Sequence, residues 1–209
     1  MIVKICGIKT IEAAQVASEA GTDFLGFVFA PSKRRIQPEV AKRIAQAIPS
    51  HIKKVGVFVN DSVAHMLEIG AQVGLDIIQL HGDEPTEVAG QLIKESYQVI
   101  RAISADRLDR FTQEKFYPYD YVLIDSPPKT FRGGSGETFN WEILNDLPID
   151  RRKLILAGGL TPENVQEAIQ IVKPAGVDVS SGVETNGIKD HQKIKAFLRH
   201  ARFAETYLS

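Results

Sequence analysis

The 209-residue sequence predicts an α/β fold, a single (β/α)8 barrel domain over residues 1–209. Two observations carry this. Eight short apolar runs alternate with eight helical patterns, and the runs are nearly continuous in apolar residues, as strands buried on both faces of a parallel sheet are. Eight βα units in so short a chain favour closure into a barrel over an open sheet, and neither a G-x-G-x-x-G turn after the first run nor a Walker A sequence occurs.

The elements follow in order. Ile2–Ile5 is the first strand, and Ile11–Ala20 the first helix, stopped by Gly21. Phe24–Phe29 leads to Pro38–Ile48, which opens on a proline suited to a first turn. Val55–Val59 leads to Ser62–Val73, with Ser62 as a cap-type residue, and Ile77–Leu80 leads to Glu84–Glu95, with Pro85 near its start. Val99–Ile103 precedes a less regular helical pattern over Asp106–Glu114. Tyr121–Ile124 precedes a long glycine-rich stretch and a short helix at Trp141–Leu144. Leu154–Leu156 leads to Thr161–Val172, whose Thr-Pro-Glu-Asn opening supplies a capping hydroxyl, a proline and an early acid. Val177–Val179 leads to the last helix, Asp190–Tyr207.

Composition narrows the function classes. Hydrophobic residues make up 44% and charged residues 24%, with a net charge of −1, which argues against disorder and against a nucleic-acid footprint. The lone cysteine, Cys6, cannot build a disulfide framework and suits a reducing cytoplasm. The opening MIVKICGIK reads as a strand rather than a secretory leader, and no apolar run reaches the ~18 residues of a membrane span. No metal motif occurs, so no metal is expected. The charged helix faces lead to a monomer.

In a barrel of this kind, chemistry gathers at the C-terminal ends of the strands. Strand 7 ends in Ala157-Gly158-Gly159-Leu160, and strand 8 in Val179-Ser180-Ser181-Gly182. Small residues let backbone N–H groups approach an anion, and the loops after strands 7 and 8 of barrels commonly bind phosphate. Cys6, at the end of strand 1, reads equally as a small buried apolar group or as a nucleophile or base activated by nearby positive charge. Lys4 and Lys9 are close in sequence, but alternation along the strand leaves the place of Lys4 open. Asp125 closes the apolar run Tyr121-Val-Leu-Ile and reads as a loop cap or as a desolvated acid. The following Arg132-Gly-Gly-Ser-Gly136 reads as a closing loop or a plain connection. Ser32-Lys-Arg34-Arg35 is a solvated charge run or a carboxylate clamp, and His81 is a scaffold residue or a substrate contact. His51, His65, His191 and His200 fall away from the strand ends and read as surface residues.

Together these segments resemble the phosphoribosylanthranilate isomerases. The matching stretches are Val3-Lys-Ile-Cys-Gly-Ile-Lys9, Leu25-Gly-Phe-Val-Phe29, Ser32-Lys-Arg34, Val55-Gly-Val-Phe-Val-Asn60, Ile78-Gln-Leu-His-Gly82, Leu123-Ile-Asp125, Gly133-Gly-Ser-Gly136 with Phe139-Asn-Trp141, Leu156-Ala-Gly-Gly-Leu160 with Asn164-Val165, and Val177-Asp-Val-Ser-Ser-Gly-Val-Glu184. They run from strand 1 to strand 8, and their shared order and spacing make the match specific. The resemblance implies an Amadori rearrangement of a phosphorylated small molecule, N-(5'-phosphoribosyl)anthranilate, without cofactor or metal. It implies Asp125 as general acid and Cys6 as general base. It places phosphate on Gly158, Gly159, Ser180 and Ser181, the anthranilate carboxylate on Arg34, and His81 and Asp178 at the mouth. The paired prolines in Ser126-Pro-Pro-Lys-Thr-Phe-Arg132 depart from the family pattern. Two carboxyl and thiol roles in one mouth demand opposite shifts, Asp125 raised and Cys6 lowered.

Two other phosphate-binding barrels compete with this reading: an epimerase, which needs metal-binding histidines and aspartates at strand tops, and an indole-glycerol-phosphate synthase, which needs lysines at strand ends. A third alternative is a non-catalytic phosphate-ligand binder on the same barrel, which has no use for a Cys6–Asp125 pair.

Overall fold

The computed structural model describes residues 1–108, 119–126, 140–144 and 149–206. Eight parallel strands close a barrel in chain order: β1 Ile2–Cys6, β2 Phe24–Val28, β3 Lys53–Phe58, β4 Ile77–Leu80, β5 Gln98–Ser104, β6 Tyr121–Asp125, β7 Leu154–Leu156 and β8 Gly176–Val179. The barrel closes through β1 and β8, where Lys4 stands opposite Asp178. Each predicted apolar run is a strand. Cys6 and Asp125 are the last residues of β1 and β6, so each strand runs one residue beyond its predicted apolar run.

Alternation sorts the strand residues. One set fills the lumen: Phe24, Val55, Ile77, Ile100, Leu123 and Ile155, with Ile2 and Tyr121 packed on them. Phe24 and Tyr121 meet across the barrel edge to face, centroids 5.9 Å apart. The other set joins the helices in a larger core that includes Val3, Ile5, Leu25, Phe27, Ile78 and Leu80.

Six α-helices are formed among the described residues: α1 Ile11–Glu19, α2 Pro38–Gln46, α3 Val63–Val73, α4 Thr86–Lys94, α5 Val165–Val172 and α6 His191–Glu205. Side-chain caps open some of them, one at the predicted Ser62. Ser62 Oγ accepts from the His65 N–H, and Asp190 accepts from the N–H groups of Gln192 and Lys193. α6 packs between α1 and α5 and so closes the outer ring.

Three expectations are revised. α5 begins at Val165, four residues later than Thr161, because Asn164 Oδ1 takes the Thr161 N–H and residues 162–164 form a turn. Trp141–Leu144 is a 3-10 turn rather than an α-helix. Of the Asp106–Glu114 pattern, Ala105–Arg107 is likewise a 3-10 turn, and its remainder beyond Leu108 lies outside the described residues, as does Arg132–Gly136.

After β8 the chain makes a 3-10 turn at Ser181–Val183 and a two-stranded ribbon, β9 Glu184–Thr185 with β10 Ile188–Lys189. No helix among the described residues is long and apolar enough to cross a membrane.

Candidate active site

On β1, positions 2, 4 and 6 point into the barrel, so Lys4 and Cys6 share the lumen face. This is the proximity that the sequence left open. The Lys4 side chain is fully buried, and its Nζ lies 2.9 Å from Asp178 Oδ1. Burial alone would lower the ammonium, but Asp178 and Cys6 raise it, so it stays charged. Lys9 turns away and donates to the Lys33 carbonyl. Gly26 stands opposite Cys6, and a side chain there would sit 2.8 Å from the sulfur.

The expected lowering of Cys6 is not found. Burial pushes the thiol up; Lys4 opposes this most, Asp178 adds to it, and Lys189 opposes it. Cys6 retains 8% of its exposure at the rim, so water solvates a thiolate there poorly.

Asp125 behaves as expected. Burial raises its carboxyl, opposed chiefly by His81, whose Nε2 lies 3.6 Å from Asp125 Oδ2. The other oxygen accepts from the Ser126 N–H at 2.8 Å. Burial also lowers the His81 imidazole, which keeps it neutral. Gln79, buried in the lumen, places Nε2 3.0 Å from His81 Nδ1. Thus Gln79, His81 and Asp125 form one line from the lumen to the mouth. A cleft of about 630 Å³ opens there, lined among the described residues by Asn60, His81, Arg101, Tyr119, Asp125 and Ser126.

The ribbon brings groups that sequence reasoning missed. Arg34 Nε and Nη2 donate to the two carboxylate oxygens of Glu184, each at 2.7 Å. Lys189 Nζ donates to Glu184 Oε1 and to the Ser180 carbonyl, both at 2.8 Å. Burial works against ionisation of Glu184, but Arg34 and Lys189 hold it down to about 2 from an ordinary 4.5. Lys189 also supplies a lysine at the mouth, where none of the eight barrel strands ends in one. Gly7 makes room for this crossing: its φ is +77°, and a Cβ there would sit 2.7 Å from Arg34 Cδ. Arg35 is exposed while Arg34 is half-buried.

Glu84 is a second missed residue. Its buried carboxylate accepts from Asn60 N, Gly82 N and Arg101 Nη1, at 2.7, 3.0 and 2.8 Å. It ties together the tops of β3, β4 and β5.

The glycine and serine loops after β7 and β8 pack directly on one another. A Cβ on Gly182 would overlap the Leu160 carbonyl oxygen, and one on Gly158, at φ +83°, would overlap the Ser126 nitrogen. Gly159 is also left-handed, and its carbonyl accepts from Asn164 Nδ2 at 3.0 Å. Ser180 Oγ donates to the Cys6 carbonyl at 3.2 Å, which couples this loop to the end of β1. Gly158, Gly159, Ser180 and Ser181 therefore lie on one side of the mouth, between Asp125 and Cys6. Asp178 sits below them, committed to Lys4 rather than open to the cleft. His51, His65 and His191 are exposed, and His200 caps the Pro162 carbonyl. Among the described residues, no cluster of three or more His, Cys, Asp or Glu could hold a metal.

Comparison with known proteins gives a consistent picture. The family model described as N-(5'-phosphoribosyl)anthranilate isomerase matches residues 3–200. The N-(5'-phosphoribosyl)anthranilate isomerase of Oceanobacillus iheyensis is 49% identical over 203 residues, 97% of either chain. The crystal structure of the phosphoribosyl anthranilate isomerase from Thermotoga maritima superposes with a TM-score of 0.85 at 42% identity, covering 97% of this chain and 100% of that one. A crystal structure of such an isomerase in complex with reduced 1-(o-carboxyphenylamino)-1-deoxyribulose 5-phosphate gives 0.82 at 39% identity, with the same coverage.

Proposed function

The chain belongs to the N-(5'-phosphoribosyl)anthranilate isomerase family, and from that premise we propose that it converts N-(5'-phosphoribosyl)anthranilate to 1-(2-carboxyphenylamino)-1-deoxyribulose 5-phosphate with Cys6 as base and Asp125 as acid. The observation that carries the residue assignment is the placement of a raised carboxyl and a buried thiol at the same mouth, on either side of the β7 and β8 glycine loops.

Asp125, protonated, gives its proton to the ribose ring oxygen. The C1–O bond breaks, and the aniline nitrogen supplies the electrons to form a protonated Schiff base. Cys6 as thiolate takes the proton from C2. The resulting enolamine returns a proton to C1 and becomes the ketone, so hydrogen moves within the substrate and no redox partner is needed. Gly158, Gly159, Ser180 and Ser181 hold the phosphate with backbone N–H groups and hydroxyls. Glu184 takes the Nε edge of Arg34, and the end-on edge, Nη1 with Nη2, receives the anthranilate carboxylate. His81 orients Asp125. Asp178 acts through Lys4. The reading also places the chain in the cytoplasm as a monomer that works without cofactor.

The test is a fluorescence assay of phosphoribosylanthranilate consumption by the purified protein. Turnover supports the reading. Binding of substrate without turnover supports a phosphate-ligand binder instead.

A further inference from the structure

We propose that Lys4 is a positioning residue for Cys6, its buried ammonium shared between the Asp178 carboxylate and the Cys6 sulfur so that it governs how readily the thiol yields its proton. The inference rests on the reading of Cys6 as the base. Three observations place the ammonium there. Lys4 and Cys6 are two residues apart on the lumen face of β1, so their side chains stand side by side in the barrel. Asp178 faces Lys4 across the β1–β8 closure and holds Nζ at 2.9 Å. Gly26, opposite Cys6 on β2, leaves the space in which the two meet: a Cβ there would lie 2.8 Å from Cys6 Sγ and 3.2 Å from Lys4 Nζ.

An ion pair without further duty is a poor choice for this position. The lumen around it is apolar, with Phe24 on the adjacent strand, and buried pairs seldom outperform apolar side chains of similar size in stability. The pair makes sense as a charge reservoir. With the thiol neutral, Lys4 and Asp178 balance one another. When the thiol ionises, the same ammonium faces two anions and favours the new one. Lys4 is also the largest influence opposing the upward push of burial on the thiol. The charged groups around Cys6 are Lys4 on β1, Asp178 on β8, Lys189 on β10 and Arg34 after β2, the last two bound to Glu184. Lys4 is the one among them buried on the same strand face.

Cys6 is the sole thiol of the chain, so ultraviolet absorbance of the thiolate against pH, with Cys6→Ser as the blank, reads it directly. Asp178→Asn frees the ammonium and should lower the midpoint. Adding Lys4→Met to Asp178→Asn should raise it by at least about one pH unit, a tenfold loss of thiolate below the midpoint. In turnover the double variant should lose kcat with little change in KM. Equal midpoints in the single and double variants would overturn the proposal. If the double variant does not fold, Asp178→Asn decides alone, and an unchanged or raised midpoint overturns it. The titration does not depend on turnover. Unimpaired turnover in Cys6→Ala would instead overturn the base assignment.

Discussion

His81 Nε2 stands 3.6 Å from Asp125 Oδ2, and Gln79 holds the far side of the imidazole at 3.0 Å. Burial favours the neutral form of both partners, which raises Asp125 and lowers His81. The mouth thus sets a carboxyl and an imidazole side by side, each with its uncharged form favoured by burial.

Asp125→Asn should separate stability from activity. A carboxyl raised in the folded state contributes stability below its unfolded pKa and loses it as pH rises through the folded value. As pH rises through the folded value the wild type takes on the cost of ionising a buried Asp125, which the variant does not carry. The variant should melt at a higher temperature than wild type at pH 7, with the difference vanishing towards acid pH, while kcat falls ~10²–10⁴-fold. A lower melting temperature at pH 7 would contradict the raised carboxyl.

The pH profile of turnover should be a bell with its limbs reversed relative to the roles. The acid starts from the carboxyl range and the base is pushed up from the thiol range, so the base titrates at the higher pH. Only a small fraction of enzyme is then correctly protonated at any pH, and the apparent midpoints belong to the pair. The alkaline limb of kcat/KM should lie at or above the ordinary thiol range. A limb well below it would show that Cys6 is not held up by burial.

Arg34→Ala should chiefly raise KM, by roughly 10–100-fold for a lost charge-assisted hydrogen bond of about 1.5–3 kcal/mol. Arg35→Ala should leave KM near its wild-type value, and the reverse pattern would assign the clamp to Arg35. Glu184→Gln should loosen Arg34 and also alter acid stability. Glu184 is held down to about 2, so its contribution is present above the ordinary 4.5 and is lost as pH falls from there to about 2. The stability gap between wild type and Glu184→Gln should close over that window in urea melts.

Gly158→Ala should damage both the phosphate loop and the fold. The left-handed backbone costs a Cβ roughly 1–2 kcal/mol, and contact with Ser126 N adds to that. A melting-temperature fall on the order of 5 °C with raised KM is expected. Gly21→Ala, equally left-handed but in open space, should show the thermal loss without the KM change.

Much of this was legible in the chain. A parallel barrel buries its strands on both faces, so Phe24–Val28 and Tyr121–Asp125 stand out as apolar runs, and their polar ends mark the mouth. Cys6 and Asp125 could be placed for that reason. The partners of those residues could not. The side of β1 that Lys4 takes depends on strand parity, which the continuous run Ile2–Cys6 does not reveal. Glu184 and Lys189 come together through strands of two residues each, too short to show alternation. The start of α5 depended on Asn164 reaching back to Thr161, a local competition that the Thr-Pro-Glu-Asn signal does not resolve. The sign of the Cys6 shift rested on how deeply the barrel buries the thiol, and only the three-dimensional arrangement fixes that.

The central claim is that Cys6 and Asp125 do the chemistry. Its most direct test is kcat for consumption of phosphoribosylanthranilate, followed by fluorescence, in Cys6→Ala and Asp125→Ala with circular dichroism confirming the fold. Each should fall ~10²–10⁴-fold while the barrel stays intact. Near-normal turnover in either folded variant would contradict it.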